Sequence, residues 1–231
     1  MSDQNQAASE LEGPACLLCG RADDNPDVFG RSAWCDRVRI HKFCLMFAQV
    51  LFREESQEEK GLLVSYRDLI RAVQQAEQEQ CFVCGERGAT IRCAQSGCAR
   101  SFHLPCATEG ECVTQFFGEH RSFCGEHRPR QAAMAASAED SECVICLENV
   151  GDSTSYHTLA CPVCTHAWFH RGCIQQCALS VGSTAFRCPS CQNDSRFCTE
   201  MASLGIRIPE RLVSFCQTTR MRKRGASSRR S

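Results

Sequence analysis

Cysteine and histidine recur in this sequence as close pairs, most of them two residues apart, and no other feature restricts the possible folds as strongly. Twenty-one cysteines in 231 residues have two common explanations, a disulfide framework or metal ligation. The first thirteen residues are polar and acidic and have neither the basic start nor the apolar stretch of a secretory signal. No apolar run approaches the roughly 18 residues that a membrane span needs. The expectation is an intracellular, reducing setting with no membrane contact, where disulfides do not persist. Histidines paired with cysteines point the same way, because a disulfide framework has no use for them. Metal ligation is the reading that fits.

Zinc takes four Cys or His ligands in a tetrahedron, commonly offered as two close pairs from separate parts of the chain. The first cluster gives Cys16 with Cys19, then His41 with Cys44. Cys35 lies in the gap between them and competes with His41 for that site. The second cluster reads C-x2-C-x8-C-x4-C-x4-H-x2-C-x17-C-x2-H. This order suits a cross-brace in which alternate pairs share a metal. Cys81, Cys84, His103 and Cys106 form one set, and Cys93, Cys98, Cys124 and His127 the other. The third cluster, C-x2-C-x14-C-x2-C-x5-H-x2-C-x14-C-x2-C, interleaves in the same way. Its sets are Cys143, Cys146, His170 and Cys173, and Cys161, Cys164, Cys188 and Cys191. His166, two residues after Cys164, is an alternative ligand in its place. About five zinc ions account for sixteen cysteines and four histidines. Cys35, Cys112, Cys177, Cys198 and Cys216 are left over.

The clusters set the organisation. Residues 1–13 read as a disordered leader and 14–52 as a first zinc knuckle, with Leu45–Phe52 as a short helix over its metal. Residues 53–80 form an acidic, Gln-rich loop and a linking helix from Ser65. In that helix Tyr66, Leu69, Ile70 and Val73 fall on one stripe, and Asp68 makes a capping pair with Ser65. The second cluster occupies 81–128. Residues 129–141, rich in Ala, read as a linker, 142–194 as the third finger, and 195–231 as a basic, disordered tail. Thirteen Phe, two Trp and two Tyr spread over these segments cannot build a large core, so metal is expected to supply much of the folding free energy. Phe102, Phe116, Phe117 and Phe123 are the expected core of the second finger, with Cys112 buried and His120 at the surface. Trp168 and Phe169 are the expected core of the third.

With the ligands placed, the stretches IHKFCLMFAQV, CFVCGERGATIRCAQSGCARSFHLPCA, SFCGEHRP, CVICLENV, CPVCTHAWFHRGCIQQCAL and FRCPSCQND carry a specific resemblance. Residues 14–194 resemble the family of PHD finger protein 7 and the G2/M phase-specific E3 ubiquitin ligase. The fold class implied is a set of small zinc-stabilised α+β modules. An extended PHD module (a C2HC knuckle plus a cross-brace PHD finger) is followed by a cross-brace RING/PHD-like finger. The resemblance implies a nuclear, chromatin-associated protein that binds histone tails and promotes ubiquitin transfer. The HECT domain of one relative and the further PHD finger of the other have no counterpart in this sequence, so any ligase activity is expected from the third finger.

A RING finger holds a charged ubiquitin-conjugating enzyme and has no nucleophile of its own. The resemblance places Ile145 and Pro189 in the enzyme-binding groove and Gln192 where an activating Arg is often found. Cys177 stands where a large aromatic is common, and Cys164 follows the PHD ligand order. Two readings stay open: a RING-type ligase, or a chromatin-binding scaffold with an inactive third finger.

Charge bears on the partners. The formal net charge of −1 counts cysteines as neutral thiols, but zinc ligands are thiolates. The metal-loaded chain then carries about −7, made up of about +7 from Ile206 onward and about −14 in the remainder. An acidic body suits basic histone tails better than phosphate backbones. Glu86, Glu109, Glu111 and Glu119 are candidates to pair with Lys or Arg. Phe82 alone, near the first ligands of the PHD finger, does not make the aromatic cage that a methyl-lysine needs. Arg87, Arg92, Arg100 and Arg121 keep DNA as a further partner class.

Overall fold

The computed structural model describes residues 14–35, 38–54, 62–132, 142–164 and 166–210. The leader at 1–13, most of the acidic loop, most of the expected linker and the basic end beyond residue 210 lie outside the described residues, as does the side chain of Cys35. The described chain is built from ten short strands in five two-stranded antiparallel sheets and five helices. Strands of two to four residues are too short to be stable as isolated hairpins. Cross-links or neighbouring cores must hold them.

Helix α1 (Pro26–Phe29) is capped by Asn25, whose side chain accepts from the Asp27 N–H. Strands β1 (Ser32–Cys35) and β2 (Val38–His41) pair with Trp34 opposite Arg39. Helix α2 spans Lys42–Phe47. The expected helix at Leu45–Phe52 therefore starts and ends earlier. Gln49 turns left-handed at φ 59°, and Phe52 already belongs to β3 (Phe52–Glu54), which pairs with β4 (Leu62–Val64). Helix α3 (Tyr66–Ala76) begins at Ser65, whose hydroxyl accepts from the Asp68 N–H. Of the expected stripe Leu69 is fully buried, Ile70 and Val73 are partly buried, and Tyr66 is exposed. Its inward face also uses Ala72 and Ala76.

The knuckle and the second finger share one interior. Leu18, Phe29, Ile40, Phe43, Leu45 and Phe47 are continuous with Leu69, Ile91, Phe102 and Leu104. Phe116 stands edge-on to Phe43 and Phe47, at 5.1 and 5.0 Å between centroids. The second finger consists of β5 (Ile91–Arg92) with β6 (Ser101–Phe102), a 3-10 turn at Leu104–Cys106, and β7 (Val113–Thr114) with β8 (Ser122–Phe123). Phe117 is exposed rather than part of that core.

The third finger carries an interior of its own. Strands β9 (Thr158–Ala160) and β10 (Trp168–His170) lead into α4 (Arg171–Val181). Residues 195–206, expected as the start of a disordered tail, are part of the fold. Helix α5 (Ser195–Ser203), capped by Asp194, buries Phe197 and Met201, and Leu204 and Ile206 follow them into the same core. Phe197, Met201 and Leu204 share one helical face by their i, i+4, i+7 spacing, which explains why the segment folds. Arg207 then reaches the knuckle, donating to the carbonyls of Pro26 and Asp27 at 3.3 and 3.1 Å with its guanidinium over Phe43.

The third finger is thus docked on the second. Tyr156 donates to the Cys112 carbonyl and Gln115 to that of Ser203. Gly205, at φ +85°, lies so close to β7 that a Cβ there would meet Val113 at 3.0 Å. The start of the expected linker is also engaged, since Gln131 exchanges hydrogen bonds with the N–H and carbonyl of Ala160.

Candidate metal centres

One local turn recurs at four of the close pairs. The N–H of the first cysteine donates to the carbonyl five residues on, and the N–H four residues on donates back to that cysteine's carbonyl. This holds at Cys16, Cys81, Cys143 and Cys188. The fourth residue after the cysteine must be left-handed: Gly20 at φ 68°, Gly85 at 79°, Leu147 at 63° and Gln192 at 60°. Glycine adopts this conformation freely, whereas an ordinary side chain costs roughly 1–2 kcal/mol there. The turn brings two sulfurs to one side and directs backbone N–H groups at them.

The described residues contain five groups whose donor atoms all lie within 4.8 Å of one another: Cys16, Cys19, His41 and Cys44; Cys81, Cys84, His103 and Cys106; Cys93, Cys98, Cys124 and His127; Cys143, Cys146, His170 and Cys173; and Cys161, Cys164, Cys188 and Cys191. These are the five sets read from the spacing. His166 is exposed and outside the fifth group.

The geometry within each group fits zinc. Bonds of ~2.3 Å to sulfur and ~2.0 Å to nitrogen put neighbouring tetrahedral donors roughly 3.3–3.8 Å apart. The Sγ of Cys19, Cys84, Cys124 and Cys146 stands 3.4, 3.4, 3.3 and 3.3 Å from the Nδ1 of its group's histidine. In the all-cysteine group, Cys161 and Cys191 are 3.9 Å apart, and Cys164 and Cys188 4.0 Å. Three histidines also show which nitrogen is free. Nε2 of His41, His103 and His170 donates to the carbonyls of Asp23, Arg87 and Asn149 at 2.8, 3.2 and 3.0 Å. A carbonyl only accepts, so the proton is on Nε2 and the Nδ1 lone pair faces the sulfurs, as a metal ligand requires.

Backbone N–H groups also prepare the thiolates. At Cys143 burial acts upward, but the N–H groups of Cys146, His170 and Ile145 outweigh it and hold the thiol at about 7. Cys124, with burial opposed by the N–H groups of His127 and Glu126 and by Arg100, falls to about 6. Other members of the sets go up, Cys106, Cys173 and Cys188 to about 12, through burial and the neighbouring thiolates. Among the leftover cysteines, burial pushes Cys112 up to about 12 and raises Cys177 and Cys198. They are packed as small apolar residues.

Ile145, expected in the enzyme-binding groove, is 39% exposed. Two further features were not read from the sequence. Near the fourth and fifth groups, Leu147 and Val163 are 72% and 38% exposed. Leu147 and Val163 sit beside metal donors, and the missing glycine after Cys146 was a readable signal. In the second finger a cavity of about 540 Å³ opens between α3 and β5, lined in part by Gln75, Glu79, Thr90, Arg92, Glu119 and His120. His120 is half-buried rather than superficial, and its Nδ1 and the Ser122 hydroxyl have no partner among the described residues.

Residues 41–128 match a family model described as a PHD-like zinc-binding domain, and residues 141–192 one described as a ring finger domain. The chain carries a PHD-like and a RING-type zinc-finger domain. It is 37% identical over 220 residues to the G2/M phase-specific E3 ubiquitin-protein ligase of Gallus gallus, a match covering 93% of this chain and 29% of that one. The Homo sapiens protein of the same name is 36% identical over 204 residues, 87% of this chain and 29% of that one. The chain is homologous to these ligases over most of its length and spans under a third of theirs. A shorter match, 26% over 133 residues, covers 57% of this chain and 3% of the histone-lysine N-methyltransferase trithorax of Drosophila melanogaster.

Proposed function

We propose that the RING finger is a RING-type E3 ubiquitin ligase module, and that the extended PHD module directs it to histone tails in the nucleus. The observation that supports it most is the exposure of the apolar Ile145, Leu147 and Val163, with Pro189 exposed in a further metal-binding turn. The first three side chains stand at the tips of two metal-binding turns, where solvent exposure of Leu147 has no structural benefit. Backbone strain kept at an exposed apolar residue suits a binding site.

In this reading the five donor groups hold structural zinc, one ion each, with the twenty residues named above as ligands. Zinc would tie the Cys143–Cys146 turn to His170 and Cys173, and the Cys161–Cys164 turn to Cys188 and Cys191. The remaining work is positioning. Ile145, Leu147, Val163 and Pro189 dock a ubiquitin-conjugating enzyme, and Gln192 meets its ubiquitin-charged form. Holding a thioester in a reactive orientation raises its rate without a nucleophile from the ligase. Gln192 donates to the Pro189 carbonyl at 3.0 Å and has no charge to offer. Activity is therefore expected to be lower than with Arg in that place.

Acceleration of ubiquitin discharge from charged conjugating enzymes tests this. The intact chain should speed discharge from at least one enzyme of a panel, and Ile145→Ala should reduce the rate roughly tenfold, the effect of a modest interface hot spot. No acceleration with any enzyme would leave the scaffold reading, which the small Cys177 contact favours.

For the PHD part, Arg100 already lies over the Phe82 ring at 5.6 Å, and Phe82 and Phe102 are T-shaped at 6.1 Å between centroids. A methyl-lysine cage has no place there. Arg92 and Arg100 pair with Glu79 and Glu126, and Arg121 lies over Phe123, which disfavours a phosphate backbone. Glu111 is committed to Arg128. The cavity beside Glu119 and His120 is the proposed tail site. Histone peptides should bind to the intact chain in preference to duplex DNA at moderate salt, and the reverse order would reject the assignment.

A further inference from the structure

The seam between the PHD-like domain and the RING finger encloses a second cavity of about 180 Å³, and three arginines line it: Arg128 and Arg130 from one side, Arg171 from the other. Drug-sized ligands occupy roughly 300–1,000 Å³, so this space suits something much smaller. Its charge is one-sided. Arg128 pairs with Glu111 through Nη2 at 2.7 Å, but neither Arg130 nor Arg171 has an ion pair among the described residues. Arg171 gives Nε to the Tyr156 carbonyl and Nη2 to that of Leu204, at 2.9 and 2.7 Å. Arg130 gives one bond, to the Gly125 carbonyl at 3.1 Å.

A separate observation points to a missing acceptor. The Arg128 side chain is only 10% exposed, and its Nε is buried with no partner among the described residues. An unmet donor on a buried cation is costly and calls for a water or an ion. Ser155, also on the cavity wall, accepts from the N–H groups of His157 and Thr158, which leaves its hydroxyl hydrogen to donate. A water could satisfy one donor but cannot offset three guanidiniums against a single carboxylate. Arg presents N–H groups in a fork that matches phosphate.

We infer that this cavity is a binding site for a phosphate-type oxyanion, free or as a monoester, held between Arg128, Arg130 and Arg171. Because those residues come from both zinc modules, the bound anion fastens the seam and stiffens the arrangement of the tail-binding domain relative to the RING face. The inference does not depend on the protein's being a ligase.

The test is a titration of the zinc-loaded full chain with inorganic phosphate at constant ionic strength, with sulfate and phenyl phosphate as parallel arms. Thermal midpoint and phosphorus NMR line width are the readouts. A saturable rise in midpoint is expected in the millimolar range or below. Arg171→Lys and Arg130→Gln should each weaken binding about tenfold, the worth of one charge-assisted bond. Arg187→Gln, an exposed arginine elsewhere on the RING finger, should leave it unchanged. If Arg171→Lys fails to fold, Arg130→Gln decides the matter, since its side chain is exposed. Saturation by inorganic phosphate alone marks a free-ion site, and saturation by phenyl phosphate as well marks one open to a monoester; either supports the inference. No saturable response, or the same affinity in Arg130→Gln as in the parent chain, overturns it.

Discussion

In the PHD-like domain the His-x2-Cys step ends in a single 3-10 turn, Leu104–Cys106, whereas in the RING finger the same step opens an eleven-residue helix, α4. The donor sets interleave alike in both, yet the interiors differ. Buried side chains of the PHD finger, such as Ile91, Phe102 and Leu104, merge with those of the knuckle and α3. The RING finger surrounds Phe169, Phe186 and Phe197 with its own Ile174, Met201 and Leu204. One metal topology can therefore be completed by a neighbouring module or by a private core. The difference also lies in the turns. The knuckle and the PHD finger place glycine at the left-handed position, and the RING finger places Leu147 and Gln192 there.

Removing zinc should have the largest effect. Structural sites contribute on the order of 10–16 kcal/mol apparent each, more than either interior can replace. A strong chelator should abolish backbone protection in both fingers by hydrogen exchange. The RING finger, with its private core, should lose it last. Survival of protection in Ile91–Phe102 after that of α4 has gone would reverse the comparison.

Core truncations should separate the two cases next. Phe197→Ala should cost about 3–5 kcal/mol and lower protection across α4 and β10 while leaving β5 and β6 unchanged. Leu45→Ala, in the knuckle, should cost about 2–5 kcal/mol and should weaken protection in the PHD finger, which borrows that core. Confinement of the Leu45→Ala effect to residues before Ser65 would show that the shared interior carries little energy.

Much of this was legible in the sequence because zinc ligands have a fixed stoichiometry and short, repeated spacings. All five donor groups follow from counting. Helix α5 was missed for the opposite reason. No cysteine or histidine pair marks it, and the basic residues beyond drew attention from the Phe197, Met201, Leu204 stripe and its Asp194 cap. The docked seam was not legible either. Tyr156, Arg128, Arg171 and Cys112 are remote in sequence, and nothing in local pattern tells an arginine at a seam from one in solvent.

The smallest expected effect concerns the turns. Leu147→Gly should stabilise the RING finger by roughly 1 kcal/mol, by relieving a left-handed side chain. It should also slow ubiquitin discharge several-fold. Gly85→Leu in the PHD finger should cost a similar amount of stability and leave discharge unaffected. Equal discharge rates for Leu147→Gly and the parent chain would leave the strain at Leu147 without a functional reason.

The most direct measurement is the number of zinc ions per folded chain, by native mass spectrometry after reconstitution with zinc. Five donor groups predict five ions, falling by one in Cys164→Ser and unchanged in His166→Ala. Three or fewer ions in the parent chain, or loss of an ion in His166→Ala with none lost in Cys164→Ser, would contradict the account.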